Sequence, residues 1–475
     1  MNRALLRKSL ILAFLTAILL PSAYLLYDRN LIPGCRHVRI LETPPKKAPR
    51  LERNLTRAQR VRNFELLWQA IDRWYGCFLI KQIDWNEVHC RYRPLAENAA
   101  GDEFYLTLTH MIRELRDSHS YPINYDDPAA LDWAAPAIEV RRIEGRAVVA
   151  RVITTSDAAA QGVRPGSVIA DVDGVPVAEK IEELRSRLPV RSSERAFLDA
   201  AHKRLLSGEN GTTVTMRFVP PGGSLQTATL IRSKNRELLT PARPGFPTAG
   251  DETIWFGRTP SGVGYLRLVA FHGRERLAAK FDEALERLRD APGLIVDIRD
   301  NPGGYGTRQP QMIGRFLTAR RDFCRLFRRN GPAHDAFEEK QSGFVLPSGP
   351  WTYTRPVALL LNEGAGSAAD LFAASFIGTG RPITIGATTH GNLAGDGVNI
   401  VLPCGFAARI SDGYVADAAG RIIEVNGNDP QIKAELTIAD IINGRDSVID
   451  RACEEILTQA ELQRTATVVA RPAAR

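Results

Sequence analysis

Apolar and polar positions along this chain change period several times, and each change marks a different kind of element. Ser9–Tyr27 is an uncharged, mostly apolar run of about 19 residues, long enough as a helix to span roughly 28 Å. Residues 28–55 are basic, rich in proline and without a clear period, which predicts a stalk. Thr56 and Gln59 then have capping-box spacing, and Val61, Phe64, Leu67, Ile71 and Trp74 follow at helical intervals. A second helix is predicted from Asp102 as its cap, with Phe104, Leu108, Met111 and Leu115 on one face. It runs directly into Asp117-Ser118-His119-Ser120-Tyr121, so residues 56–128 read as a helical unit that delivers a histidine loop.

From Ala134 to Ser233 the pattern shortens to β-type runs such as Ala147–Ile153 and Thr213–Phe218. Between them stand Gly162-Val163-Arg164-Pro165-Gly166-Ser167-Val168-Ile169 and Asp171-Val172-Asp173-Gly174-Val175-Pro176-Val177. A turn, a strand and an Asp-Gly hairpin in that order resemble the PDZ domains of bacterial proteases, over residues 134–233. The stretch Glu179–Leu206 is helical and longer than a minimal PDZ domain needs. Where such domains carry a Gly-rich carboxylate-binding loop, this chain has Ala135-Pro136-Ala137-Ile138, and the proline removes one N–H donor. After a polar connection over 234–260, Gly264–Leu268, Leu294–Arg299 and Val357–Leu361 read as buried strands. Helices are predicted over Lys280–Asp290 and from Ala368. That alternation predicts a largely parallel sheet in a core spanning 250–460.

Composition adds little to this picture. Hydrophobic residues make up 44% of the 475, charged residues 24%, and the net charge is +8. The basic residues are interleaved with acidic ones and no nucleic-acid motif occurs, so no nucleic-acid partner is expected. Charge matters most at the N-terminus, where Arg3, Arg7 and Lys8 flank the apolar run. They place the N-terminus in the cytoplasm and the rest outside, periplasmic or otherwise extracytoplasmic, with the run as an uncleaved anchor in the cell inner membrane. A cleaved signal peptide is the rival, although Pro21-Ser22-Ala23 lacks the usual small-x-small form. Among the six cysteines none forms a C-x-x-C pair, so no structural metal is expected. Outside the cytoplasm disulfides are permitted, and Cys77 and Cys90, which would close a loop of about 14 residues, are the expected pair. Free buried thiols are the alternative.

Three segments carry chemistry. In Asp297-Ile298-Arg299-Asp300-Asn301-Pro302-Gly303-Gly304-Tyr305-Gly306 a buried strand ends in a glycine-rich turn whose N–H groups can meet an oxyanion or a peptide backbone. Asp297 and Arg299 are expected to pair and brace it. In Asn362-Glu363-Gly364-Ala365-Gly366-Ser367-Ala368-Ala369-Asp370 the serine stands between a strand and a helix N-terminus, where the helix dipole favours developing negative charge. Alone, Ser367 reads equally well as a helix cap.

The two segments, in this order and after a PDZ-like domain, resemble the tail-specific (C-terminal processing) serine protease superfamily. Its members carry an Asp-x-Arg-x-Asn-x-Gly-Gly turn and a Ser-Ala-Ser-Glu nucleophile motif. The resemblance covers roughly residues 56–460. It implies an α+β protein with a helical N-terminal subdomain, a PDZ-like β domain and a crotonase-like αββ catalytic core. It also implies a polypeptide substrate, an acyl-enzyme mechanism and no cofactor. Many members use a lysine base in a Gly-Lys-Gly stretch; here Asn392 occupies that position in Gly386–Asn392, and an amide cannot take a proton from serine. Asp117–Tyr121 looks like the Ser-His-Ser-Tyr of the tricorn core branch, whose base is the histidine, and Glu424 precedes Asn426-Gly427 as that branch places a glutamate. The resemblance thus implies Ser367 as nucleophile, His119 as base, Ser118 and Glu424 as the groups that orient and polarise the imidazole, and Gly303 or Gly304 with Ala368 as the oxyanion hole. His390 is a weaker alternative base. The rival reading is a catalytically inactive relative that binds peptides through the PDZ-like domain.

Overall fold

The reciprocal cap at Thr56 and Gln59 forms, and helix α1 runs from it over Arg57–Trp74, burying Phe64, Leu67, Ile71 and Trp74. This is seen in a computed structural model that describes residues 38–128, 130, 132, 134–234 and 244–469. Helices α2 (Phe78–Lys81), α3 (Trp85–Asn98) and α4 (Asp102–Arg113) complete the N-terminal unit. Gly101, at a φ of 55°, caps α4 in place of the expected Asp102, whose carboxylate instead meets Arg53 at 2.6 Å. Of the expected stalk, residues 28–37 lie outside the described residues, and 38–55 do not stand free. From residue 38 the chain lies on the body: β1 (Arg39–Leu41) pairs antiparallel with residues 399–401, and the N–H of Glu52 donates to the Cys404 carbonyl. Leu51 and Leu55 pack against the helical core, which is what holds the segment down. The apolar run Ser9–Tyr27 lies outside the described residues, and no helix among the described ones is long and apolar enough to cross a membrane.

The Cys77–Cys90 pairing is not formed; both thiols are free. Cys77 is buried and turned toward the core, its Sγ 3.4 Å from the Gly413 carbonyl, while Cys90 is exposed on α3. Side chains facing opposite ways cannot bring their Cβ atoms to bonding range, however favourable the loop length.

Beyond β2 (Tyr121–Pro122) comes an antiparallel unit. Its strands are β3 (Ile138–Ile143), β4 (Arg146–Val152), β5 (Val168–Val172), β6 (Val175–Pro176), β7 (Thr213–Val219) and β8 (Gln226–Ile231). They lie in the order β3–β4–β5–β7–β8, with β6 hairpinned onto β5. Asp173 and Gly174, at φ of 53° and 80°, give the two positive angles that a two-residue hairpin turn requires. Helices α5 (Asp157–Ala160), α6 (Val177–Arg187) and α7 (Glu194–Lys203) accompany the sheet, and α7 packs along β3. The Ala135 N–H is spent on the Ser233 carbonyl and the Ile138 N–H on that of Pro136.

The rest of the chain builds the core. Its strands are β9 (Thr248–Gly250), β10 (Ile254–Arg258), β11 (Gly264–Leu268), β12 (Leu294–Asp297), β13 (Arg321–Arg329), β14 (Phe337–Val345), β15 (Val357–Leu361), β16 (Pro382–Gly386), β17 (Val398–Val401), β18 (Ala407–Ile410), β19 (Gly413–Asp417) and β20 (Ile432–Lys433). Helices α8 (Arg274–Arg287), α9 (Gln309–Gly314), α10 (Ala368–Gly378), α11 (Ile438–Asn443) and α12 (Ser447–Val469) alternate with them. The main sheet has the order β20–β16–β15–β12–β11–β10–β9, parallel from β20 to β11 and antiparallel beyond. Leu359 and Leu361 of β15 join Val296 and Leu266 in a core under α8–α10. Ala358 and Leu360 join Ile295 and Tyr265 in another under α12. Burial on both faces is why the strands read as unbroken apolar runs. Smaller sheets have the orders β1–β17–β18–β2 and β14–β13–β19.

The helical unit does not close its own core. Val398, Ile400, Leu402, Phe406, Ala408 and Ile410, from β17, β18 and their connection, lie in the same cluster as Phe64, Leu67 and Phe104. At this seam two backbones touch: a Cβ added to Gly76 would sit 2.4 Å from the Gly413 nitrogen. Backbone cannot move aside as a side-chain tip can. We therefore expect Gly76→Ala to cost about 1–3 kcal/mol, read as a lower denaturant midpoint with an unchanged slope.

Candidate active site

The carboxyl ends of β12 and β15 lie side by side, and both chemical turns grow from them. Arg299 grips Asp297 through two hydrogen bonds of 3.0 and 2.8 Å and reaches Asp446, and the Tyr265 hydroxyl also donates to Asp297. Burial would raise the Asp297 carboxyl, but Arg299 and Arg267 hold it below its ordinary value. Asp300 is next, at a φ of 59°. Its N–H donates to Asn362 Oδ1 at 2.7 Å, and its carboxylate takes Arg141 of β3 and Lys203 of α7 at 2.9 Å each. Burial opposes that charge, yet Arg141, Lys203 and Arg267 hold Asp300 well below the usual carboxylate range. The turn is therefore tied to the antiparallel unit on one side and to the nucleophile loop on the other.

Ser367 stands at the start of α10 with φ 57° and ψ −119°, a conformation a non-glycine residue rarely adopts. Two neighbours hold it there. Its N–H donates to Asp370 Oδ2 at 3.1 Å. Gly303, at a φ of 98°, lies so close that an added Cβ would be 2.7 Å from the Gly366 carbonyl, 2.8 Å from the Ala368 nitrogen and 2.8 Å from Ser367 Cβ. Asp370 also accepts from Thr389 Oγ1 and from the N–H groups of Gly391 and Asn392. The Gly303 N–H is spent on Asn301 Oδ1 at 2.9 Å, whereas those of Gly304 and Ala368 have no acceptor among the described residues. Where Gly303 or Gly304 was expected beside Ala368, the N–H groups of Gly304 and Ala368 are thus the unspent ones, and Gly303 lies packed between the turns.

His119 follows α4 on a turn whose N–H donates to Asp117 Oδ1 at 2.9 Å. Its Nε2 lies 3.2 Å from Ser367 Oγ, joining residues 248 apart in sequence. Its Nδ1 is buried and meets no protein acceptor among the described residues. Ser118 and Glu424 are not on the imidazole. Ser118 Oγ is 3.3 Å from Ser192 Oγ, and Ser192 in turn hydrogen-bonds Glu424. Glu424 is fully buried, accepts the Leu393 N–H at 2.6 Å and faces Lys81 Nζ at 2.6 Å. The expected orienting pair therefore makes no contact with the imidazole, Ser118 meeting Ser192 and Glu424 meeting Lys81 instead.

The alternative base does not reach the nucleophile. His390 lies against Gly366, its N–H donates to the Ala365 carbonyl, and burial with Arg191 and Arg195 nearby pushes it down to about 3. Asn392 is buried, its N–H on Asp370 and its Oδ1 without a partner among the described residues. Sequence reasoning missed Lys81, Ser192, Arg195, Asp300 and Asp370 as site residues. Arg195 holds the carbonyls of Thr389, His390 and Val425, and Ser193 donates to that of His390. For Ser192 and Arg195 the one available signal was the excess helical length after Glu179, while Asp300 and Asp370 stood inside the two chemical turns without a role of their own.

Residues 262–434 match the profile of Peptidase family S41. Carboxy-terminal processing protease CtpB of Bacillus subtilis is 25% identical over 62% of this chain and 56% of its own length. Tricorn protease homolog 1 of Streptomyces coelicolor is 25% identical over 80% of this chain and 33% of its own. The chain spans between 31% and 62% of the length of the first curated relatives it matches. Among solved structures, mature CPAF complexed with lactacystin has the same fold, with a TM-score of 0.69 at 15% identity over 85% of this chain and 99% of that one.

Asp370 gives the site a measurable pH signature. Burial pushes its carboxyl up to about 6 from an ordinary 3.8, against the pull of Thr389 and the two N–H groups. A raised carboxyl binds its proton more tightly folded than unfolded. Its contribution is therefore fully present below about pH 4 and is lost as pH rises to about 6. Relative to Asp370→Asn, the wild type should lose on the order of 2–3 kcal/mol across that window and stay level above it, as measured by urea unfolding at a series of pH values.

Proposed function

We propose that this chain, whose residues 262–434 match Peptidase family S41, is a serine peptidase that cleaves polypeptides through an acyl-enzyme on Ser367. The observation that carries the reading is the 3.2 Å approach of His119 Nε2 to the hydroxyl of a serine held at positive φ. Ser367 Oγ attacks the scissile carbonyl while His119 Nε2 takes its proton. The oxyanion is met by the N–H groups of Gly304 and Ala368, with the N-terminal end of α10 behind them. His119 returns the proton to the departing amine, and water then releases the acyl group by the same route. Asn392 takes no part in proton transfer, and the inactive-relative reading loses its main support once a histidine rather than a lysine serves as base.

The antiparallel unit is read as PDZ-like. With the Ala135 and Ile138 N–H groups spent internally, its Pro136 loop is poorly suited to capture a free C-terminus by backbone donors.

Location follows from the N-terminal charges. The run Ser9–Tyr27 behind Arg3, Arg7 and Lys8 would anchor the chain in the inner membrane with the peptidase outside. A reporter that is active only outside the cytoplasm, fused after Arg475, should be active. Activity confined to a cytoplasm-dependent reporter would reverse the assignment.

The chemistry is tested by single substitutions. Ser367→Ala should lower kcat by on the order of 10⁶ and His119→Ala by nearly as much, with the double variant no worse than either, because nucleophile and base act as one unit. Asn392→Ala should leave kcat/KM far higher than either. Turnover of a peptide substrate by His119→Ala at the wild-type rate would remove the histidine from the mechanism.

A further inference from the structure

Lys81 comes from the short helix α2, far in sequence from either catalytic turn, yet only 3% of its side chain is exposed. Its Nζ lies 2.6 Å from Glu424 Oε1 and donates to the Arg116 carbonyl at 2.7 Å. Arg116 has a φ of 48° and stands three residues before His119. One ammonium thus touches both the strained turn that delivers the base and the carboxylate that ends the Ser118–Ser192–Glu424 chain of hydroxyls. A buried charge is tolerated only when paired, and removing one partner leaves the other exposed to the full cost of burial.

The surroundings leave few other cations for Glu424. Asp117 and Asp370 both face it with negative charge. Cys77 and the Tyr75 ring lie beside Lys81 and are neutral, burial pushing both well above their ordinary values. Arg328 is committed to Asp412, and the Arg116 guanidinium donates to the Lys81 carbonyl. Burial would lower the Lys81 ammonium, but Glu424 and Asp117 raise it above its ordinary value, so it stays charged.

We infer that Lys81 is a positioning residue for the Ser367/His119 pair, supplying the counter-charge of Glu424 and pinning the turn that carries the histidine. It acts through Glu424 and the Arg116 carbonyl and touches no reacting atom. The inference rests on the peptidase reading above and deepens it: the helical unit supplies not only the base but also the counter-charge of the carboxylate behind it.

The test uses the full chain and the second-order rate of Ser367 labelling by a fluorophosphonate from about pH 5 to about pH 9. Lys81→Met should label roughly tenfold to a hundredfold more slowly. Its pH profile should gain a second limb as the unpaired Glu424 carboxyl begins to titrate. Lys81→Met combined with Glu424→Gln leaves no unpaired charge. It should recover about tenfold of the loss and lose the extra limb. A purely packing role predicts no recovery. Wild-type labelling by Lys81→Met, or a double variant no faster than Lys81→Met with no added limb, overturns the inference while leaving Ser367 as nucleophile. If Lys81→Met does not fold, the comparison is between Glu424→Gln and the double variant, and a double variant that labels no faster overturns it equally. Labelling of the wild type at a residue other than Ser367 would overturn the peptidase reading and this inference together.

Discussion

A side chain that must attack a carbonyl has to project from its backbone at an angle that ordinary helix starts do not provide. In this chain the angle is bought with strain: Ser367 sits at a φ of 57°, and such a conformation persists only where its surroundings over-determine it. Asp370 holds its N–H from one side and Gly303 fills the space against it from the other. Much of the surrounding design serves those two contacts. Gly303 is placed by Asn301, whose side chain takes the Gly303 N–H and donates to the Leu268 carbonyl. Asp370 gathers Thr389, Gly391 and Asn392, so the loop after β16 is fixed by the same carboxylate that fixes the nucleophile.

Several charges are buried around this point, and their pairings link segments distant in sequence. Asp300 joins β3 and α7 to the oxyanion turn, Asp297 and Arg299 join that turn to the start of α12 through Asp446, and Glu424 joins the core to α2. Such pairs add little net stability compared with apolar packing. What they supply here is register. A misplaced strand or helix would leave an ion without its partner, so the wrong arrangement is penalised far more than the right one is rewarded.

Much of the scaffold, and the residues Ser367 and His119 that the fold brings within 3.2 Å, were legible because both leave local marks. Capping at Thr56, the doubly buried runs at Leu294 and Val357, and the Asp173-Gly174 hairpin are short-range patterns with one physical solution each. Ser367 and His119 stood out through motif context. Lys81 left no such mark: a lysine at the end of a four-residue helix reads as surface, and only the partner 343 positions later makes its burial intelligible. Ser192 and Arg195 were hidden for the same reason, since Ser192 meets the Ser118 hydroxyl and the Glu424 carboxylate while Arg195 holds carbonyls of loops near residues 390 and 425. The stalk and the disulfide were misread because composition and loop length say nothing about which way a side chain faces.

The shared core of α1–α4 with β17 and β18 has a consequence for how the protein comes into being. The helices that carry the base are among the first parts synthesised, yet their apolar face is closed only by residues around 398–410. Until that stretch has left the ribosome, a hydrophobic surface stands open and must be shielded from aggregation, as expected of folds with contacts so distant along the chain. The same delay has a protective side. His119 and Ser367 cannot meet before the body is nearly finished, so the growing chain lacks that pair until late in its synthesis.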